Sequence, residues 1–148
     1  MSNADVVHSF ADAIWNKQQL HRFPEFMWED VRLCGLGDEA PIVGIDQLVT
    51  ETARWLGLYS AVQMKVIRTV AEEDRIAWQW QLTGTVVEPR LASPRAPKPE
   101  DNGPWGQEVV VNGISISTFR DGRIAEEVTQ SGVAEFLGQL GYPPKAAG

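Results

Sequence analysis

The run Gly113-Ile-Ser-Ile-Ser-Thr-Phe-Arg-Asp-Gly-Arg-Ile-Ala-Glu-Glu-Val-Thr129 leaves few folds open to this chain. Ile114, Ile116 and Thr118 alternate with Ser115, Ser117 and Phe119, which is the period of a half-buried strand. Arg120-Asp121-Gly122-Arg123 predicts a tight hairpin turn, because Asp-Gly tolerates the positive φ that such turns need. A second strand follows to about Gln130. Its parity puts Ala125, Glu127 and Thr129 on one face and Glu126 on the other.

Upstream, apolar residues at spacings of three and four predict a helix over 4–20, capped by Ser2 or Asn3. A short helical piece spans Phe23 to Met27, a strand Trp28 to Cys34 and a loop Gly35 to Pro41. A helix covers Ile45 to Leu56. Strands run from Gln63 to Val70 and from Ile76 to Val87. Residues 88–106 hold five of the nine prolines, so they predict a long loop. A strand over 107–119 leads into the hairpin, and a helix over about 132–140 precedes Pro143-Pro144. The order predicts an α+β fold with an antiparallel sheet. At 148 residues, a single domain over 1–148 is the default.

The net charge of −7 argues against nucleic acid or an anionic membrane as partner. One cysteine, Cys34, excludes an intramolecular disulfide. The first residues lack the basic and apolar regions of a secretion signal, and no apolar run reaches membrane-spanning length. A cytoplasmic protein is expected. Two isolated histidines and one cysteine make no metal site, and there is no glycine-rich phosphate loop, so neither metal nor cofactor is expected.

Several segments carry a family resemblance in their order along the chain. They are Ala13-Ile-Trp-Asn16, Gly44 before a helix, Trp80-Gln-Leu-Thr-Gly-Thr85, Gly103-Pro-Trp-Gly106, Phe119-Arg-Asp-Gly-Arg-Ile124 and Leu137-Gly-Gln-Leu-Gly141. Together they resemble the NTF2-like superfamily, and within it the SnoaL-like branch of polyketide cyclases. The resemblance implies a cone: a curved antiparallel sheet whose helices close a central cavity, often paired into a homodimer through the sheet. The aldol-type cyclases of this family use a carboxylate on the last strand and a histidine on the strand before it. Thr129 and Ser115 fall at those two places here. The epoxide-hydrolase relatives need an Asp-Arg-Asp set, and this chain offers Thr129, Gln79 and Gln81 instead.

Glu127 is then the remaining acid on that wall. In an apolar pocket its pKa rises into the range useful for acid/base work. At the cone mouth it meets water or an arginine instead. Glu51 shares a helical stripe with Leu48, Thr52 and Trp55 and is the second candidate, against a solvated stripe-edge glutamate. Trp15 falls where the family's cyclases carry a pocket-shaping aromatic, or is ordinary core. Trp78 and Trp80 share one strand face, and Gln79 and Gln81 the other. The resemblance favours the glutamines as cavity lining, leaving the tryptophans to packing or an oligomer interface. Ser115 and Ser117 would offer hydroxyls to the cavity. Trp105, in the Pro-rich loop 88–106, would close onto a ligand if that loop is a lid.

The resemblance, with these residues, implies a cyclase or isomerase acting on a hydrophobic polyketide- or terpenoid-like intermediate of natural-product biosynthesis. Positioning would do most of the work. Glu127 and Glu51 would move protons, and Gln79, Gln81, Ser115 and Thr129 would donate hydrogen bonds. An epoxide hydrolase or dehydratase is the alternative enzyme. A non-catalytic ligand-binding or dimerisation module is the alternative from another class.

Overall fold

A computed structural model of the chain describes residues 1–35, 40–87 and 106–132. The expected helix over about 132–140 and nearly all of the Pro-rich loop, Trp105 included, lie outside the described residues. Helix α1 (Asn3–Phe10) starts at a capping box in which Ser2 Oγ accepts from the Asp5 N–H and Asp5 accepts from the Ser2 N–H. It runs on as a π-helical stretch, Ala11–Asn16, so the helix expected over 4–20 widens in its last turns and ends at Asn16, with Gln18 in the left-handed region just beyond. There Asn16 donates from Nδ2 to the Met64 carbonyl (3.1 Å) and accepts from the Met64 N–H (2.6 Å). One amide side chain thus bolts the first helix to the sheet. A 3₁₀ turn (Leu20–Arg22) leads into α2 (Phe23–Phe26), and α3 spans Ile45–Leu56.

Six strands form one open, curved sheet: β1 (Met27–Gly35), β2 (Ile42–Val43), β3 (Tyr59–Glu72), β4 (Arg75–Val86), β5 (Glu108–Arg120) and β6 (Arg123–Ser131). Their order across the sheet is β2-β1-β6-β5-β4-β3. The short β2 lies near the end of the expected 35–41 loop and pairs antiparallel with β1. One pair departs from the all-antiparallel expectation. β1 runs parallel to β6, with Leu33 opposite Glu127. A tight turn forces its two strands antiparallel; β1 and β6 are joined by most of the chain, so nothing imposes that sense on them.

The hairpin forms where the sequence places it. Arg120 pairs with Arg123, and Asp121 (φ 48°) and Gly122 (φ 80°) occupy the left-handed region. The register slips between Thr118 and Phe119, which pair with Glu126 and Ile124. Ala125 is the extra residue of this bulge. Ile124 and Glu127 therefore both face inward, and the strand's simple parity holds only from Glu127 onward.

The inner face of β4 is Ile76, Trp78, Trp80, Leu82, Gly84 and Val86. That of β5 is Val109, Val111, Gly113, Ser115, Ser117 and Phe119. Against this concave face pack Phe10, Phe23 and Phe26, with Phe10 edge-on to Trp78 at 6.4 Å between ring centres. The outer face carries exposed Ile114, Ile116 and Val70.

Candidate functional site

A cavity of about 210 Å³ opens between the concave sheet and the helices. Its wall is apolar: Phe10, Phe23, Met27, Leu48, Leu82 and Val111 contribute, together with the faces of Trp78 and Trp80. Into this wall β6 delivers Glu127, only 7% exposed. Thr129 and Ser131 follow it along the same strand face, and Ser115 faces them from β5.

The carboxylate is held at both oxygens. Ser117 Oγ donates to Glu127 Oε1 at 2.9 Å, and Thr129 Oγ1 donates to Oε2 at 3.3 Å. Behind these hydroxyls stand the two indoles. Trp78 Nε1 donates to Ser117 Oγ at 3.0 Å, and Trp80 Nε1 donates to Ser115 Oγ at 3.0 Å. Ser115 and Thr129 share a hydrogen bond of 2.8 Å. Burial pushes the Glu127 carboxyl from its ordinary value of 4.5 up to about 7, with the Ser117 and Thr129 hydroxyls holding it back from rising further. The group is thus poised between its two protonation states near neutrality, which is what a proton-transfer group requires.

Glu51 also lines the cavity, but at its rim. Its side chain is a third exposed and pairs with Arg54 at 3.2 Å on the same helix. Trp15 lines the cavity and packs against the core, so both expectations for it hold together. Trp55, at the end of the same stripe as Glu51, forms another part of the wall. Ser117 lies one bond behind the cavity, fully buried against Glu127.

Gln79 and Gln81 must be corrected. They lie on the outer face of β4, where Gln81 bonds the Asn112 side chain, and neither reaches the cavity. The tryptophans take the inner face instead. Burying two indoles gains apolar area, whereas burying two amides demands partners for eight hydrogen-bonding sites. A second signal was available in Gly113: it pairs with Trp80, and a Cβ there would sit 2.1 Å from the indole ring. Only glycine leaves room for that ring on the inner face. Ser115 and Thr129 line the cavity and also bond each other, with Thr129 donating onward to Glu127.

Among the described residues, no three His, Cys, Asp or Glu side chains converge to hold a metal ion. Nor is any helix among them long and apolar enough to cross a membrane.

The family model described as SnoaL-like polyketide cyclase matches residues 5–140. Solved structures share the fold nearly end to end. A proposed SnoaL-like polyketide cyclase from Jannaschia sp. CCS1 superposes with a TM-score of 0.78 at 22% identity, covering 96% of this chain and 93% of that one. IdmH of Streptomyces antibioticus, a proposed polyketide cyclase, gives 0.76 at 21% identity over 95% and 99%. AclR of Streptomyces galilaeus, a proposed hydroxylase, gives 0.76 at 21% over 96% and 97%. No curated protein matches the sequence at a significant level.

Proposed function

This chain belongs to the SnoaL-like polyketide cyclase family, and from that premise we propose that it cyclises or isomerises a hydrophobic polyketide- or terpenoid-like intermediate in natural-product biosynthesis. The observation that carries the proposal is Glu127: a carboxyl buried in a mostly apolar cavity and balanced between acid and base near neutrality. A filled cone would suit a scaffold; an open cavity with one poised acid suits proton transfer at a carbon next to a carbonyl.

The cavity's 210 Å³ is the size that holds a ring, an apolar cavity of roughly 150 Å³ being enough for benzene. It admits the reacting ring and leaves the rest of a long substrate to lie past Glu51 and Trp55 at the rim. Apolar walls fold the flexible chain into its reactive shape. Glu127 takes the proton from the activated carbon, or delivers one to the oxygen where charge develops. With a mostly apolar lining around Glu127, most of the remaining catalysis falls on shape.

Native mass spectrometry against extracts of the producing cell tests binding, and turnover of the retained molecule tests chemistry. Glu127→Gln should keep the ligand and lose roughly 100-fold or more in kcat. Unchanged turnover would assign the reaction to shape alone, as in a pericyclic closure. Failure to retain any small molecule would remove the enzymatic reading.

A further inference from the structure

Glu127 is the end point of two hydrogen-bond chains, and both begin at a tryptophan. The first runs Trp78 Nε1 to Ser117 Oγ to Glu127 Oε1. The second runs Trp80 Nε1 to Ser115 Oγ to Thr129 Oγ1 to Glu127 Oε2. The direction of each is set by chemistry. An indole N–H donates and never accepts. Each serine therefore takes the indole's hydrogen bond on a lone pair and turns its own proton onward. Thr129 spends its one proton on Glu127, so in the Ser115–Thr129 pair Ser115 is the donor.

We propose that Trp78 and Trp80 are positioning residues that act through Ser117 and through Ser115–Thr129 to orient Glu127, so that its acidic proton can be presented only to the cavity. This rests on the reading of Glu127 as the proton-transfer group. One lone pair on each carboxyl oxygen already receives a hydroxyl proton from the protein side. For Glu127 to point its own proton at Ser117, the Ser117 hydroxyl would have to turn away. That hydroxyl is fully buried, and among the described residues its side-chain partners are Trp78 and Glu127 alone. A buried donor without an acceptor is penalised. The longer chain ends at the cavity as well: Ser115 and Thr129 both line it, so if that chain ran the other way Ser115 would turn its proton into the cavity and not into the protein. The lone pairs left over face the cavity. The protonated acid is thereby aimed at a ligand oxygen that accepts, such as a ketone, ester or ether, and the carboxylate at a ligand C–H or O–H. Neither chain is a route to bulk water, because an indole N–H at its head gives up no proton.

The test reads the carboxyl itself, by ¹³C NMR titration of the Glu127 side chain, so it needs no substrate. Ser117→Ala and Thr129→Val should each raise the midpoint by about one pH unit. Trp78→Phe should raise it by about a third as much, through weaker polarisation of the serine. The deciding comparison is the double variant. Trp78→Phe should shift nothing further once Ser117→Ala is present, yet keep its effect on the Ser115→Ala background; Trp80→Phe should show the mirror pattern. Replacing each indole with benzothienylalanine keeps the ring shape and removes only the N–H, so it should reproduce the Phe result if packing is not the cause. Equal Trp effects in both backgrounds, or no effect of the isostere, would overturn the proposal. A Glu127→Gln enzyme with full turnover would sink the catalytic reading instead and leave these titrations unchanged in meaning.

Discussion

Glu127 and Gly113 between them account for how the site is built residue by residue. Glu127 could be picked out from the hairpin because its strand parity agrees with that of Thr129. Its depth could not, since a bulge at Ala125 and a second strand at its flank decide how far inside it sits. Gly113 yields a prediction on packing. Its missing Cβ is the space that the Trp80 ring occupies. Gly113→Ala should destabilise the protein by about 2–3 kcal/mol in denaturant melts. Adding Trp80→Phe to that variant should recover part of the loss, because the smaller ring can withdraw. If the double variant is no better than the single, Trp80 is not the obstacle.

At the scale of elements, the hairpin was readable because the turn chemistry is local. Asp-Gly sets its own backbone and needs nothing from the rest of the chain. The short β2, the parallel pairing of β1 and the π-helical end of the first helix were not readable. β2 has only two residues, too few to show a period, while the other two involve contacts distant in sequence, such as Leu33 opposite Glu127 and the Asn16–Met64 bracket. The hairpin also has a distant clasp. Trp28 on β1 donates from Nε1 to the Arg120 carbonyl at 2.6 Å, and the Arg123 guanidinium lies 3.5 Å above its ring. Trp28→Phe keeps an aromatic face for Arg123 and removes the hydrogen bond. It should lower stability by about 1 kcal/mol and speed amide hydrogen exchange at the turn. Unchanged exchange there would mean that Asp121-Gly122 holds the turn unaided.

For the molecule as a whole, the poised acid sets a pH dependence of stability. In the unfolded chain Glu127 titrates near 4.5, and in the folded one at about 7. Between those values the folded state binds more protons than the unfolded one, so stability falls as pH rises through that window. Below 4.5 both states hold the proton and nothing is lost. Above 7 the folded protein carries a buried charge that disfavours it by roughly 3 kcal/mol. Glu127→Gln should therefore be more stable than the parent at pH 8 and no different near pH 4, as read from urea midpoints. A stability gain that ignores pH would place its origin in packing instead. The α+β class could be read from element order, and the concave sheet from the family resemblance. The inward face of β4 is legible in polarity, which places the indoles inside and the amides outside.

The parallel contact between β1 and β6 has a further consequence, in the order of assembly. β6 lies between a strand from the start of the chain and one just before it in sequence, so half of its pairing closes the longest loop available. Contacts of that kind form slowly and late. Trp78, Trp80, Ser115 and Ser117 all sit on strands joined by neighbouring pairings, and they can meet without it. Glu127 cannot be enclosed until β6 is seated on both sides. An intermediate that stops short of that step would hold the prepared cradle with its acid still in water, titrating as an ordinary glutamate. Recovery of the raised midpoint during refolding would then mark the moment the sheet completes.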